Sequence, residues 1–354
     1  MPSYRHKQDD ILQFMQLVYA VDETEKRKLK FLYRQSGIEN RYSVIPDYSR
    51  DIMEWKFYPQ TENLEPFPSL EQRMIYYNKY AAPLSVDAIR KCIHGVVHHD
   101  EITHLITVSC TGMIAPGIDL QIMDLMNLSK NIYRTSVNFM GCYAAIHALK
   151  MADAICKSNQ DAKVVIVCTE LCTLHFQRDA TPDNIASSLL FGDGSAAMLV
   201  CHDNNRDRGL RIENFYSEVI TKGKRDMAWE LSSSGFVMTL SGYIPELIEE
   251  DFSPLVTRAF RESGHDIKNV TNWCIHPGGK RILDAIHRSL DFKNGELQNC
   301  YDVLKEFGNM SSATIVFVLQ KIMHAIKSGS SKELIFGAAF GPGLTMETFL
   351  VSYS

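Results

Sequence analysis

No apolar run in this sequence approaches the roughly 18 residues needed to cross a bilayer. The polar opening, MPSYRHKQDD, lacks the apolar stretch of a secretion signal. A cytoplasmic protein with no membrane partner is therefore expected. A long basic run is also missing, and the net charge is −5, which argues against a nucleic-acid surface. The nine cysteines are odd in number, irregularly spaced and without a C-x-x-C pair. This excludes an evident disulfide framework or zinc site and suits a reducing compartment. What is present is ordinary globular material: 354 residues, 45% hydrophobic and 22% charged, enough for two core units.

Residues 25–37 read as a basic helix stopped by Gly37, and residues 48–68, rich in Pro and aromatics, as irregular chain. Residues 70–97 carry helical spacing, and 102–110, 162–168 and 196–201 read as buried strands. An internal repeat organises the rest. Strand 102–110 ends at Thr111-Gly112; thirty positions after Gly112 comes Cys142, preceded by Gly141, then a helix over 143–157 and a strand. In the second half, strand 271–275 ends at His276-Pro277-Gly278; thirty-one positions after Gly278 comes Asn309, preceded by Gly308, then a helix over 310–326 and a strand from Glu333 towards Gly341. The repeat predicts two similar α/β halves packed face to face, 1–225 and 226–354, meeting near residues 205–230, where NNRDRG is a polar loop. Cys142 and Asn309 then occupy equivalent helix starts, and His276 the strand end that matches Cys110-Thr111. Such positions between similar halves are common sites of chemistry.

A helix start favours a thiolate, and a nearby imidazole favours it further, so Cys142 is a candidate nucleophile for a thioester carbonyl. The alternative is a buried cysteine at a helix start, with Gly141 there for close packing. His276 is exposed at a strand end by a Pro-Gly-Gly turn, or is a structural turn histidine. Asn309 can donate its amide to a developing oxyanion, or can simply cap a helix.

The strings around these residues resemble a known family. Asn272-Trp273-Cys274-Ile275-His276-Pro277-Gly278-Gly279 is similar to the histidine motif of type III polyketide synthases, the chalcone synthase superfamily, and Gly308-Asn309-Met310-Ser311-Ser312-Ala313 to the asparagine motif. Phe340-Gly341-Pro342-Gly343-Leu344-Thr345 with Glu347 resembles its C-terminal signature, and Leu190-Phe191-Gly192-Asp193-Gly194 its gatekeeper motif. Ser109-Cys110-Thr111-Gly112 with Ala115-Pro116-Gly117 resembles the bacterial form. The match runs over essentially the whole chain. It implies a layered αβαβα thiolase fold, a homodimer, malonyl-CoA and acyl-CoA as substrates, and no cofactor or metal. It also implies catalytic roles for Cys142, His276 and Asn309.

The same resemblance places Phe191 as the first gatekeeper and Met238 as the second, with Phe236 two residues away as the alternative. It puts Cys110, His175 and Ser311 on the cavity wall and Ala115 where plant enzymes carry a cross-dimer methionine. A flexible Met238 leaves room for a non-aromatic starter or an opening toward a tunnel; against this, Trp229, a few residues upstream, is expected to close the pocket and favour short products. The basic helix offers Lys28 and Arg34 to the CoA phosphates; a solvated charged face is the plain alternative. A β-ketoacyl-carrier-protein synthase III-like enzyme and a non-catalytic thiolase-fold subunit are the competing readings. The HPGG, GNMSSA and FGPGLT strings weigh against the first, and the intact Cys-His-Asn set against the second.

Overall fold

The apolar runs KVVIVCTEL and ELIFGAAFG show no polar alternation because each forms an inner strand covered on both faces. Each is central to a four-stranded sheet. The first sheet has the order Tyr133–Asn138, His104–Ser109, Lys163–Leu171, Asp193–Cys201; its first three strands are parallel and the last is antiparallel. The second has the order Asn272–Ile275, Glu333–Gly341, Thr345–Tyr353, Arg211–Val219; only its first pair is parallel. This computed structural model describes residues 1–20, 22–202, 209–293, 295–326 and 333–353.

Side chains alternate across the first sheet as strand geometry requires. Ile106, Val108, Val164 and Ile166 face a central core that also holds helices Ala144–Ser158 and Thr314–Ala325. Leu105, Val165 and Val167 face the opposite way, against Ile89 and Ile93 of helix Leu70–Ile93 and Ile122 of helix Ile118–Met126. The second sheet is covered outside by helix Ile244–Ser263, whose Phe260 stacks on Phe336 at 5.4 Å. Helix, sheet, two central helices, sheet, helix: this is the expected αβαβα thiolase arrangement. The central helix Ala144–Ser158 is alanine-rich because it is enclosed; Ala144, Ala145, Ala148 and Ala152 are all buried.

Two expectations need correction. Strand Arg211–Val219 hydrogen-bonds to Thr345–Tyr353, so it belongs to the second sheet, and the division between halves moves from 225/226 to before Arg211. Of the polar stretch 204–209, only Gly209 lies within the described residues. The repeat also has a different register. Each central helix is preceded by a 3-10 turn, Gly141–Tyr143 in one half and Ser311–Ala313 in the other. Gly141 and Ser311, each first in its turn, share a positive φ of 80° and 48°. Cys142 is thus equivalent to Ser312, and Asn309 lies three residues before Cys142's counterpart. The sequence match through Gly308 misled because that glycine serves a separate kink, at φ 66°.

Gly337 lies where a Cβ would meet the ring of its cross-strand partner Phe349 at 2.1 Å. Gly337→Ala should lower stability by about 1–3 kcal/mol through overpacking. Chemical denaturation reads this directly; an unchanged midpoint would contradict the packing.

Candidate active site

The turn that carries Cys142 is tightly specified. Phe139 and Gly141 both take left-handed backbone, with φ 57° and 80°; such strain persists where surroundings enforce it. The signature loop of the second half provides that enforcement. A Cβ on Gly141 would lie 2.1 Å from Pro342, and one on Gly341 would lie 3.3 Å from the Cys142 nitrogen. Gly141 N donates to Cys110 Sγ at 3.0 Å. Cys142 is 8% exposed, and the side chains of Ser311 and Asn309 hydrogen-bond its thiol.

Asn309 is 3% exposed, and the capping role its sequence left open is the one its hydrogen bonds show. Its Oδ1 accepts from Ser311 N at 2.8 Å, a cap on the turn, while Nδ2 donates to Gly278 O at 3.1 Å. The amide has a second N–H, and the side chain also lies within reach of the thiol. Gly278 belongs to the histidine turn: its N donates to His276 O at 2.9 Å, and a Cβ on it would sit 3.7 Å from His276 Nε2. His276 is 1% exposed, and both ring nitrogens lack a partner. Leaving a buried polar atom unpaired costs about 1–3 kcal/mol. The structure therefore brings Cys142, Asn309 and His276 into one buried locus.

Electrostatics there differ from the sequence-based expectation of a depressed thiol. Burial pushes the Cys142 thiol up to about 12; the nearby Glu170 carboxylate adds to this, and the Ser311 and Asn309 hydrogen bonds oppose it. Burial pushes His276 down to about 3. Burial of both groups thus opposes their charged forms.

Glu170 was not singled out from the sequence. It is buried, with burial raising its carboxyl to about 7. Its Oε2 accepts from Cys110 N and Thr111 Oγ1, each at 2.9 Å, and its Oε1 from Ser312 Oγ at 2.5 Å. An acidic residue at the end of an otherwise apolar strand was the available signal.

A cavity is lined by Phe191, His175, Trp229, Phe236 and Met238, and it continues past Cys172 to Ile11 and Met15 of helix Gln8–Tyr19. Trp229 and Met238 are directly opposite in the hairpin Met227–Ser232 and Gly235–Leu240. Trp229 Nε1 donates to Cys110 O at 2.7 Å. His175 Nε2 donates to Thr111 O at 2.7 Å, its Nδ1 accepts from Phe236 N at 3.1 Å, and its ring stacks on Phe236 at 4.2 Å. This wall is fixed by hydrogen bonds on both sides. Phe236 is buried in the stack and Met238 is half-buried, so both candidates for the second gatekeeper border the cavity. Phe191 is tied to the asparagine strand: Gly192 N donates to Asn309 O and Asn309 N to Leu190 O, each at 2.9 Å.

Cys110 is buried under the Cys142 turn as its hydrogen-bond acceptor, and Ser311 sits against the thiol. Neither of them, nor Cys142, His276 or Asn309, lines that cavity. Lys28 and Arg34 lie exposed on helix Glu23–Gln35, Lys28 in an ion pair with Glu25 at 3.0 Å.

Two family descriptions match the chain: chalcone and stilbene synthases, N-terminal domain, over residues 1–204, and C-terminal domain, over residues 212–353. Over 335 residues the chain is 29% identical to "Alpha-pyrone synthesis polyketide synthase-like Pks18" of Mycobacterium tuberculosis, covering 93% of this chain and 83% of that protein. The structure resembles that of PKS-I from the brown alga Ectocarpus siliculosus, with a TM-score of 0.92 at 25% identity, over 100% of this chain and 96% of that one. It also resembles the C-terminal type III polyketide synthase domain of Steely1, a type I/III hybrid from Dictyostelium, with a TM-score of 0.89 at 26% identity and the same coverage. The chain belongs to the chalcone and stilbene synthase family. It is a type III polyketide synthase, an acyltransferase-type enzyme whose family condenses malonyl-CoA. Among the described residues, no helix is long and apolar enough to cross a membrane.

A thiol raised to about 12 has a thiolate fraction that grows tenfold with each pH unit below that value. Iodoacetamide modification of Cys142 in the free enzyme should therefore keep accelerating from pH 6 to 10. A plateau reached by pH 7 would mean a resting thiolate–imidazolium pair instead.

Proposed function

We propose that the enzyme extends a small acyl starter with malonyl units, using Cys142 to carry the chain and His276 with Asn309 to stabilise the enolate. The observation that carries this reading is the buried His276 ring, without a partner on either nitrogen, beside an Asn309 amide that also reaches the Cys142 thiol.

Loading begins as Cys142 Sγ attacks the starter thioester carbonyl. His276 takes the thiol proton as the S–C bond forms and returns it to the departing CoA sulfur. Neutral His276 suits this role, because it accepts a proton only while the sulfur is reacting. Malonyl-CoA then enters. Its carboxylate leaves as CO₂, and the electrons of the broken C–C bond pass to the thioester oxygen as an enolate. A ring N–H of His276 and the second N–H of Asn309 Nδ2 donate to that oxygen. The enolate carbon attacks the Cys142 thioester, a C–C bond forms, and the cysteine sulfur leaves and can accept the lengthened chain again. No electron transfer or Lewis acid enters this sequence, so no metal or redox cofactor is assigned. Lys28 and Arg34 are placed on the CoA phosphates.

The rigid wall of His175, Phe236 and Trp229 supports short chains that cyclise to a phloroglucinol-, resorcinol- or pyrone-type product. A homodimer in the cytoplasm is the state assigned. Strand Tyr133–Asn138 supports it as an exposed sheet edge with Tyr133 70% exposed, the kind of edge that pairs across a twofold axis.

Two mutational outcomes follow. Asn309→Ala should still acquire an acyl group from acyl-CoA but release CO₂ from malonyl-CoA about 10²–10³-fold more slowly. Equal loss of loading and decarboxylation would remove Asn309 from the oxyanion site. Trp229→Gly should lengthen products or admit larger acyl-CoAs, while Met238→Phe should shorten them, as read by mass spectrometry. Identical products from both folded, active variants would place size control outside this hairpin.

A further inference from the structure

Among the described residues, the hairpin Met227–Ser232 and Gly235–Leu240 pairs with neither four-stranded sheet. Yet it carries Trp229, Phe236 and Met238 to the cavity. Its position therefore depends on what holds its turn. Leu70 N donates to Ser233 O at 3.4 Å, and Gln177 Nε2 to Ser234 O at 3.3 Å. Next to these contacts Gly235, at φ 126°, packs on the side chain of Arg73. A Cβ on Gly235 would meet Arg73 Cδ and Nε at 3.1 Å.

Arg73 lies in helix Leu70–Ile93 and is fully buried. Among the described residues no carboxylate meets its charge, and its Nη2 has no partner. A buried cation without a counter-ion is costly, and an apolar side chain of the same length would fill the space without that cost. What the guanidinium does instead is join separate segments. Its Nε donates to Pro68 O at 3.1 Å, just before the helix, and its Nη1 donates to Leu174 O. Leu174 belongs to the turn Cys172–His175, so the planar fork fixes the carbonyl directly before His175. The ring of Phe67 lies over the guanidinium at 5.1 Å. His175 in turn accepts from Phe236 N and stacks on the Phe236 ring. Arg73 thus holds the cavity wall from behind at two points, through Leu174 to His175 and through Gly235 to Phe236.

We propose that Arg73 is a positioning residue for product size. It does not border the cavity itself; it sets how far the wall of His175, Phe236 and Trp229 stands into it. This rests on the reading that the wall bounds a chain grown from malonyl units. An arginine that only stabilises the fold is the competing account. Such a residue would change stability and leave the proportions of the products alone.

Arg73→Met keeps the side-chain length and removes the N–H groups, while Gly235→Ala pushes the turn away from an intact Arg73. Products formed from one acyl-CoA and malonyl-CoA are compared by mass spectrometry. Each variant should raise the ratio of longer to shorter products about tenfold, the scale at which pocket contacts discriminate. Acylation of Cys142 should stay within about twofold of wild type, since no group that meets the thioester changes. The double variant should match the single ones, because both changes break the same contact. Arg73→Lys, which keeps the charge but not the fork, should raise the ratio as well and decides the matter should Arg73→Met not fold. Amide hydrogen exchange across residues 227–240 should quicken about tenfold in the Arg73 variant that folds. An unchanged product ratio in the folded Arg73 variants, or ratios that multiply in the double variant, would overturn the proposal. Wild-type protein that condenses no malonyl-CoA would overturn the functional reading instead. Exchange at the wild-type rate would then still overturn the hold of Arg73 on the hairpin, and faster exchange would support it.

Discussion

Glu170 accepts hydrogen bonds from Cys110 N and Thr111 Oγ1 at the strand end of one half and from Ser312 Oγ at the helix start of the other. A buried carboxylate is costly to leave unsatisfied, so these contacts must form together. Once they do, most of the site is determined. Cys110 is fixed by its N–H, and its sulfur and carbonyl oxygen then receive Gly141 N and Trp229 Nε1. The Cys142 turn and the cavity wall are thus tied to one residue. Thr111 Oγ1 also accepts from Leu171 N at 2.8 Å, and Thr111 O accepts from His175 Nε2. On the other side Ser312 sets the start of the helix that places Asn309 and Ser311.

The cost of this arrangement falls on the nucleophile. The same carboxylate raises the thiol it helps to position, and burial does so more strongly. On the proposed mechanism it becomes reactive as His276, also buried and unpartnered, takes its proton. The site is therefore organised around proton movement during reaction, with donors fixed in advance where charge develops.

The fold was legible where periodicity speaks. The unbroken apolar runs around residues 162–168 and 333–336 reported strands buried on both faces, and the strand–turn–helix–strand repeat reported two halves. The boundary at 225/226 was missed because strand Arg211–Val219 is half-polar and gives no sign of which sheet it joins. Cys142, His276 and Asn309 stood out as candidates because short turn and motif strings surround each. Their register within the repeat was not, since Gly308 and Gly141 look alike in sequence while Ser311 adopts the positive φ that matches Gly141. The contacts of Cys110 and Ser311 with the Cys142 turn were not legible, because sequence position carries no side-chain direction. Glu170 was overlooked because one acidic residue in an apolar strand announces a buried network only once its partners are known.

The central claim is that Cys142 alone carries the growing chain in a locus shared with His276 and Asn309. The most direct measurement is intact-mass analysis and peptide mapping of wild-type enzyme incubated with an acyl-CoA in the absence of malonyl-CoA. The account predicts one acyl adduct per chain, located on Cys142 and absent from Cys142→Ala. An adduct mapping to Cys110 or Cys172, or persisting unchanged in Cys142→Ala, would contradict it.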